Sequence, residues 1–149
     1  MTYQQIVDMC RTAANAVNPL GFFHHGRRED YSLEYYQAAF RNGQAGIGLI
    51  APTPRTTTNR TEGTATHECV MIFMKQDSMD SDVLVREQII ADMDILSSLF
   101  MDYIFNNYNI LITNEVKTPD YRQFMGTLSG YSMTFTIQSY LPCGSESGS

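Results

Sequence analysis

The chain has 149 residues, of which 43% are apolar and 17% are charged, and its formal net charge is −6. This length fits one domain with a real hydrophobic core. Its ten Lys and Arg residues are scattered, which argues against nucleic-acid binding as the main activity, because phosphate backbones require a clustered basic face. The low charge suits burial against partner proteins, whose interface centres are depleted of charged groups. A neutral polar surface without a partner fits the composition equally.

The cysteines Cys10, Cys69 and Cys143 are odd in number and widely spaced. This spacing disfavours a disulfide framework or a zinc site and favours a reducing compartment, with Cys10 and Cys69 as core residues. The first 17 residues lack the basic start and continuous apolar stretch of a signal peptide. No run of 18 apolar residues occurs, so we expect no membrane span.

The chain begins with a predicted helix over residues 2–17, because apolar residues recur there at helical spacing. Residues 22–31 are predicted as a loop or an irregular edge strand. Residues 31–40 then predict a strand, and residues 45–51 its return strand. The dipeptide Asn42-Gly43 between them favours a tight hairpin turn.

The polar stretch 55–66 has no apolar periodicity and is predicted as a long loop. Residues 67–75 are apolar on both faces, which indicates a central strand covered on both sides. A long helix is predicted over residues 83–107, from an apolar stripe at three- and four-residue steps. A short strand at 110–112 and a turn-rich link at 115–123 follow, and a last strand with one buried face ends the domain.

The order of elements predicts an α+β fold, in which the N-terminal helix and the long helix pack on one face of a mainly antiparallel sheet. We expect a single domain over residues 1–143. Residues 144–149, GSESGS, are expected to form a flexible tail.

Candidate chemical groups are present but do not form a recognisable site. Adjacent His24 and His25 point to opposite faces of a strand, which disfavours joint metal binding. His67 and Cys69 lie two residues apart on one strand, whereas catalytic partners come from distant segments. We therefore predict no catalytic residues, no metal site, no cofactor and no enzymatic activity.

The nine tyrosines and nine methionines favour a role in protein contacts, because both side chains suit contact surfaces. A second interpretation is that the tyrosines cap the ends of the sheet. The sequence predicts that some of these tyrosines lie at an oligomer interface. The predicted interface residues are Tyr35, Tyr36, Tyr131, Thr134, Thr136, Gln138 and Tyr140.

Six segments together carry a family resemblance. They are the N-terminal helix, YSLEYYQAAFRNGQAGIGLIAP, RTTTNRTEGTAT, HECVMIFM, DVLVREQIIADMDILSSLFMDYIFNN and MGTLSGYSMTFTIQSYLPC. In this order the chain resembles the small ring-forming neck and tail-completion proteins of tailed bacteriophages, above all the tail-terminator-like proteins of crAss-like phages. The resemblance covers nearly the whole chain and is one of architecture, without a diagnostic motif.

This resemblance implies a structural virion protein, assembled in the host cytoplasm as a homo-oligomeric ring in the neck or head-tail connector. Its implied partners are neighbouring portal, connector or tail proteins. DNA would only pass through the lumen, and no membrane is involved. In such a ring, exposed strand edges of neighbouring copies could pair, and the last strand, 129–140, and the hairpin edge are the candidates. The loop 55–66 would project to the lumen or to an adjoining ring. Its projecting residues would be Arg55, Thr57, Asn59, Arg60 and Glu62.

Three alternatives remain open. Another virion subunit, such as a baseplate or tube component, would stack into tubes. A small-molecule-binding domain or minor enzyme would place His25, His67 and Cys69 near a concave apolar cleft. An antagonist that mimics an acidic partner would fit the pI of about 4.9.

Overall fold

The structure is a computed structural model that describes residues 1–27, 30, 34–50, 55–77, 83–122 and 128–141; of residues 34–36 and 121–122 it describes the backbone alone. It confirms the α+β fold. The elements in chain order are α1 (Tyr3–Val17), β1 (Phe22–Gly26), α2 (Glu34–Arg41), β2 (Gly46–Ile50), β3 (Arg55–Asn59), β4 (Thr64–Gln76), α3 (Val83–Asn107), β5 (Leu111–Arg122) and β6 (Leu128–Tyr140). No helix in the described parts of the chain is long and apolar enough to cross a membrane.

The first helix begins with a capping box. The Oγ1 of Thr2 accepts a hydrogen bond from the amide of Gln5 at 3.1 Å, and the side chain of Gln5 accepts one from the amide of Thr2 at 2.8 Å. Two amides that a helix start leaves without a partner are thereby satisfied. The helix ends at Asn18, whose amide still bonds the carbonyl of Ala14.

The sheet has β4 at its centre and the path β1-β2-β4-β6-β5. All neighbours are antiparallel except β1 and β2, which are parallel. Both β2 and β3 pair with the same side of β4, β2 along residues 71–74 and β3 along residues 64–68. The last strand, β6, lies along the whole other side of β4.

The core is divided by the sheet into two parts. On one face Cys69, Met71 and Phe73 of β4 join the large cluster that α1 and α3 cover. On the other face Ile72 and Met74 pack with Phe40 of α2 in a smaller cluster. This arrangement confirms the prediction of a central strand covered on both sides. It also confirms that α1 and α3 lie on one face.

The predicted hairpin over residues 31–51 is wrong. Residues 34–41 form α2, and Asn42-Gly43 ends this helix instead of joining two strands. Gly43 has a φ of +82°, and beyond it the amide of Gln44 bonds the carbonyl of Ala39 at 3.3 Å. A glycine in this conformation satisfies the last carbonyls of a helix. The good helix formers Ala38 and Ala39 outweigh the alternation that suggested a strand.

The predicted loops at 55–66 and 115–123 are also wrong, because both contain strands. The first is a hairpin: β3 pairs with β4, and Gly63 in the turn has a φ of +69°. Threonine favours strands even where no apolar alternation exists. The second belongs to β5, whose Pro119 is tolerated because β5 is an edge strand. Residues 142–149, with Cys143 and the predicted tail, lie outside the described residues.

Candidate interaction surface

The long helix α3 is apolar on two opposite sides. Its inner side, with Met93, Phe100 and Ile104, is buried against the sheet and α1. Its outer side exposes Leu84, Ile95 and Leu99, with 79, 60 and 48% of these side chains accessible. Successive residues of a helix are rotated by about 100° around its axis, which places these three residues opposite the buried stripe. A surface helix of a monomer carries charged or polar residues there, so this outer face is suited to contact with protein.

Carboxylates border the outer face of α3. The carboxylate of Asp92 accepts a hydrogen bond from Gln88 at 2.9 Å, and Asp102 is exposed. Glu87 adds a third negative charge, whereas Arg86 points inward to the buried carboxylate of Asp77. The outer face therefore carries three separate apolar side chains, with Gln88 between Leu84 and Ile95 and with the acidic Asp102 in line with Leu84 on the same side of the helix.

The sequence-predicted interface residues lie on both faces of the sheet. Tyr131 faces the helices and packs against the large core cluster. Thr134, Thr136 and Gln138 face the other side and are half-buried, and Tyr140 at the end of this side is 79% exposed. Tyr35 and Tyr36 lie in α2, and their side chains are outside the described part. Tyr131 thus belongs to the core and is separated from the other strand residues.

The last strand is not a free edge, so the predicted edge pairing through residues 129–140 is wrong. Between Gly130 and Gln138 this strand pairs with β4 on one side and with β5 on the other. The hairpin edge does not exist either, because β2 lies between β1 and β4. Pairing with another chain needs unpaired amides and carbonyls. Within the described residues, β1, β3 and β5 each pair on one side only.

The projecting residues predicted for a loop lie on the β3–β4 hairpin. Arg55, Thr57 and Asn59 are exposed on β3, and Arg60 and Glu62 are exposed in its turn. The amide of Glu62 donates to the side chain of Asn59 at 3.1 Å. The five residues are therefore exposed, but they lie on an ordered hairpin whose first strand is part of the sheet.

A buried histidine holds this hairpin to the sheet. His67 is 1% exposed, and its Nδ1 and Nε2 share hydrogen bonds with Thr56 Oγ1 at 2.9 Å and Ser139 Oγ at 3.0 Å. The three side chains join β3, β4 and β6. Burial lowers the pKa of His67, and the positive charge of the chain's amino terminus lowers it further. The ring is therefore a neutral structural link.

His24 and His25 point to opposite faces, as predicted, because they pair with Gly48 and Leu49 of β2. The Nδ1 of His25 donates to the carbonyl of Leu49 at 2.9 Å, so its Nε2 accepts from the hydroxyl of Tyr3. His24 faces the carboxylate of Asp30 at 3.4 Å, and burial lowers its pKa despite this carboxylate. Among the described residues no group of three metal-binding side chains converges.

The residues of the small-molecule alternative do not surround one cleft. Cys69 is buried in the core, and burial raises the pKa of its thiol to about 12. A thiol with this pKa is not a nucleophile near neutral pH. His67 is bonded at both ring nitrogens, and His25 lies on another strand under α1. The predicted core role of Cys10 and Cys69 is confirmed.

An open cleft of about 480 Å³ lies at the corner of the sheet where β5 begins and β6 ends. Its lining includes Asn109 and Leu111 on one side and Gln138 and Tyr140 on the other.

No family model matches the chain, and no curated protein matches it either. The apolar outer face of α3, the free side of β3 and this corner cleft are therefore the features from which a function can be argued.

Sequence reasoning missed the outer face of α3. Its signal was present, because Leu84, Ile95 and Leu99 recur at steps of eleven and four residues, on one helix face. The helix was interpreted from its stronger inner stripe alone, which includes Ile89 and Met93. Exposed apolar residues opposite a buried stripe depart from the polar outer side that is usual for a surface helix.

Proposed function

We propose that this chain is a structural virion protein of a tailed phage, forming a homo-oligomeric ring in the neck, head-tail connector or tail-completion region. The resemblance in the N-terminal helix, the central strand, the long helix and the last strand suggests the virion and the ring. The single observation that supports a role in packing is the exposed apolar face of α3. The proposed action is contact between proteins, with assembly in the host cytoplasm and DNA passing only through the lumen.

The outer face of α3 contacts a neighbouring virion protein in this proposal. Fully burying a Leu or Ile side chain contributes about 1.5–3 kcal/mol, so Leu84, Ile95 and Leu99 provide a driving force. Two copies meeting through this face would bring like charges at Asp92 and Asp102 together. Charge complementarity therefore favours a portal, connector or tail protein with an apolar centre and a basic rim.

The open face of the sheet lines the lumen in this proposal. Thr134, Thr136 and Gln138 give that face uncharged polar side chains, and Glu68 adds a negative charge. Such a surface does not attract the phosphate backbone of DNA. The side of the sheet with α1 and α3 then faces outward, which leaves the outer face of α3 available to the neighbouring protein.

Native mass spectrometry and negative-stain imaging of the purified protein over a wide concentration range test the ring. Closed rings of one copy number are expected. Tubes of stacked rings would replace the neck assignment by that of a tube subunit. A monomer at every concentration would contradict assembly by this chain.

The variant Ile95→Gln/Leu99→Gln tests the outer face of α3. Because both side chains are exposed, we expect the free energy of unfolding to change by less than about 1 kcal/mol and the ring to form. Incorporation into virus particles in infected cells should be lost. Val116→Gln, at a 58% exposed apolar residue on the opposite face, is the matched control and should be incorporated normally. Normal incorporation of the double variant would exclude this face.

A further inference from the structure

Charged side chains are divided unevenly between the two edges of the sheet. Of the arginines whose side chains are described, all except Arg86 lie on α1, β1, α2 or the β3–β4 hairpin: Arg11, Arg27, Arg41, Arg55 and Arg60. The carboxylates of α3 and β5 are those of Glu87, Asp92, Asp94, Asp102, Glu115 and Asp120. The two cations with described side chains on α3 and β5, Arg86 and Lys117, each contact a carboxylate. The edge of the sheet at β1 is therefore basic, and the edge at β5 is acidic.

The basic flank is formed by β1 and by the side of α1 that lies beside it. The guanidinium group of Arg11 lies 5.5 Å from the centroid of the Phe23 ring and is paired with Asp8 at 3.2 Å. Arg27 directly follows β1, and 73% of its side chain is exposed. The carboxylate of Asp30 lies 3.8 Å from its guanidinium group. Because a guanidinium group has five N–H donors, the exposed Arg27 has donors left for a further carboxylate.

The acidic flank is formed by β5 and by the side of α3 that lies over it. Glu115 lies in the irregular part of β5 between Thr113 and Val116. Its side chain is exposed, and none of the ion pairs among the described residues includes it. The ammonium group of Lys117, two residues further along β5, is held by the carboxylate of Asp94. The negative charge of Glu115 is therefore available to another molecule.

Arg27 and Glu115 lie at the same level on opposite edges of the sheet. The registers, extended by one residue from the Leu49–Met71 pair, align Gly26, Ile50, Val70, Thr134 and Val116 in one row across the sheet. Arg27 follows Gly26, and Glu115 precedes Val116. Because β1 and β5 run in opposite directions, both residues lie one step from this row on the same side of it.

This level relationship suits a ring of copies joined edge to edge. A second copy, rotated about an axis along the strands and placed beside β1, presents its Glu115 to Arg27 of the first copy without a change of level. Every joint can then be identical, which a closed ring requires. The helices of all copies stay on the outside, and the open face of each sheet still lines the lumen.

Side chains form this joint, and the two sheets do not become continuous. At equal levels, residues 22–25 of β1 face residues 117–120 of the neighbouring β5. Lys117 and Pro119 lie in that part of β5, and both residue types protect a strand edge from pairing with another strand. Long charged side chains bridge the gap that remains between the two edges.

We propose that neighbouring copies in the ring meet head to tail through the basic and acidic flanks, with Arg27 of one copy bound to Glu115 of the next. This proposal rests on the proposed function, because it requires the ring. Charge complementarity identifies a second copy of this chain as the occupant of each flank, since two equal flanks would bring like charges together. A single exposed ion pair contributes little, but the ring repeats the joint in every copy.

Charge reversal at each side of the joint tests this pair. Arg27→Glu alone and Glu115→Arg alone place like charges at every joint, so the protein concentration needed for rings should rise by about tenfold or more. With both changes in one chain, opposite charges face each other again and rings should return at the wild-type concentration. Native mass spectrometry over a concentration series measures ring formation, and urea unfolding of each variant shows that the fold is retained.

Two variants of the β3–β4 turn are the matched controls. Arg60→Glu and Glu62→Arg change the net charge by the same amounts as the two test variants, at exposed residues away from β1 and β5. Both controls should form rings like the wild type. Loss of rings in the controls as well would assign the effect to net charge and overturn the joint.

The remaining outcomes separate the joint from the ring. Loss of rings in both single reversals and recovery in the combined variant support the joint. Rings from the wild type and from both single reversals overturn the joint and leave the proposed ring in place. Folded single and combined variants that all fail to form rings overturn the Arg27–Glu115 pair. A wild-type protein that stays monomeric overturns both the joint and the ring.

Discussion

The ammonium group of Lys117 lies over the ring of Tyr131, 5.4 Å from the ring centroid. The same ammonium donates to the carboxylate of Asp94 and to the hydroxyl of Ser98 at 3.2 Å, both on α3. Edge strand, neighbouring strand and long helix are thereby joined at one point. The ring of Tyr131 is thereby held on the face of the sheet that α3 covers.

Replacing Lys117 by Met should lower the free energy of unfolding by about 0.5–1.5 kcal/mol. Met keeps much of the apolar stem but loses the ion pair and the contact with the ring of Tyr131, each of modest strength at a partly exposed site. Urea denaturation measures the change. Lys75→Met, on the central strand, is the control and should be close to wild type. Equal stability of the two variants would show that the contact contributes nothing.

The fully buried carboxylate of Asp77 accepts hydrogen bonds from two side chains in the described part of the chain. Arg86 Nε donates to it at 3.2 Å and Ser129 Oγ at 2.9 Å. Arg86→Ala should lower the free energy of unfolding by about 3 kcal/mol, because a buried charge loses its counter-ion. Arg11→Ala, which removes a surface ion pair with Asp8, should cost less than about 1 kcal/mol. Similar losses in denaturant titrations of the two variants would refute this difference.

The parts of the fold that sequence predicted well have a strong, regular signal. The bounds of α3 were predicted correctly, because Ile89, Met93 and Phe100 recur at helical steps over seven turns. The central strand β4 was predicted because both of its faces are apolar. The α+β class followed from these two elements and α1.

The missed parts depend on context that local patterns do not contain. Residues 31–40 were predicted as a strand because Tyr31, Leu33 and Tyr35 alternate, yet residues 34–41 form α2, whose Phe40 packs with Ile72 and Met74 on the second face of the sheet. The strand β3 has no buried face, so no hydrophobic period marks it. The candidate surfaces were predicted least well, because the topology of the sheet decides which strand lies at an edge. A sequence of nine elements does not reveal that β6 is internal and β5 is not.

Gly130 is a position where no side chain can fit. A Cβ added there would lie 1.8 Å from the carbonyl oxygen of Phe73 on the adjacent strand. Gly130→Ala should therefore cost more than about 4 kcal/mol or prevent folding, since main chain of the central strand would have to move. Gly43→Ala, where the Cβ meets nothing within 4 Å but φ is +82°, should cost only about 1–2 kcal/mol. Thermal and urea unfolding of both variants compare the two costs.

His67 should make stability depend on pH. Its pKa in the folded protein is lower than the ordinary value of 6.5, mainly because the ring is buried, and the pKa of His24 is lowered for the same main reason. As pH falls through 6.5, the unfolded chain takes up protons before the folded protein does. The free energy of unfolding is therefore highest above about pH 7 and decreases as pH falls towards 5.5. Each histidine contributes a slope of at most about 1.4 kcal/mol per pH unit.

His67→Gln tests this origin of the slope. Glutamine does not titrate, so the free energy of unfolding should vary less between pH 7.5 and 5.5, in proportion to the share of His67. His24→Gln should remove the remaining part, and the double variant should be nearly flat in this range. Urea titrations at several pH values give the slopes. A His67→Gln variant with the full wild-type slope would place the pH dependence elsewhere, and the hydrogen bonds to Thr56 and Ser139 would then tolerate a charged ring.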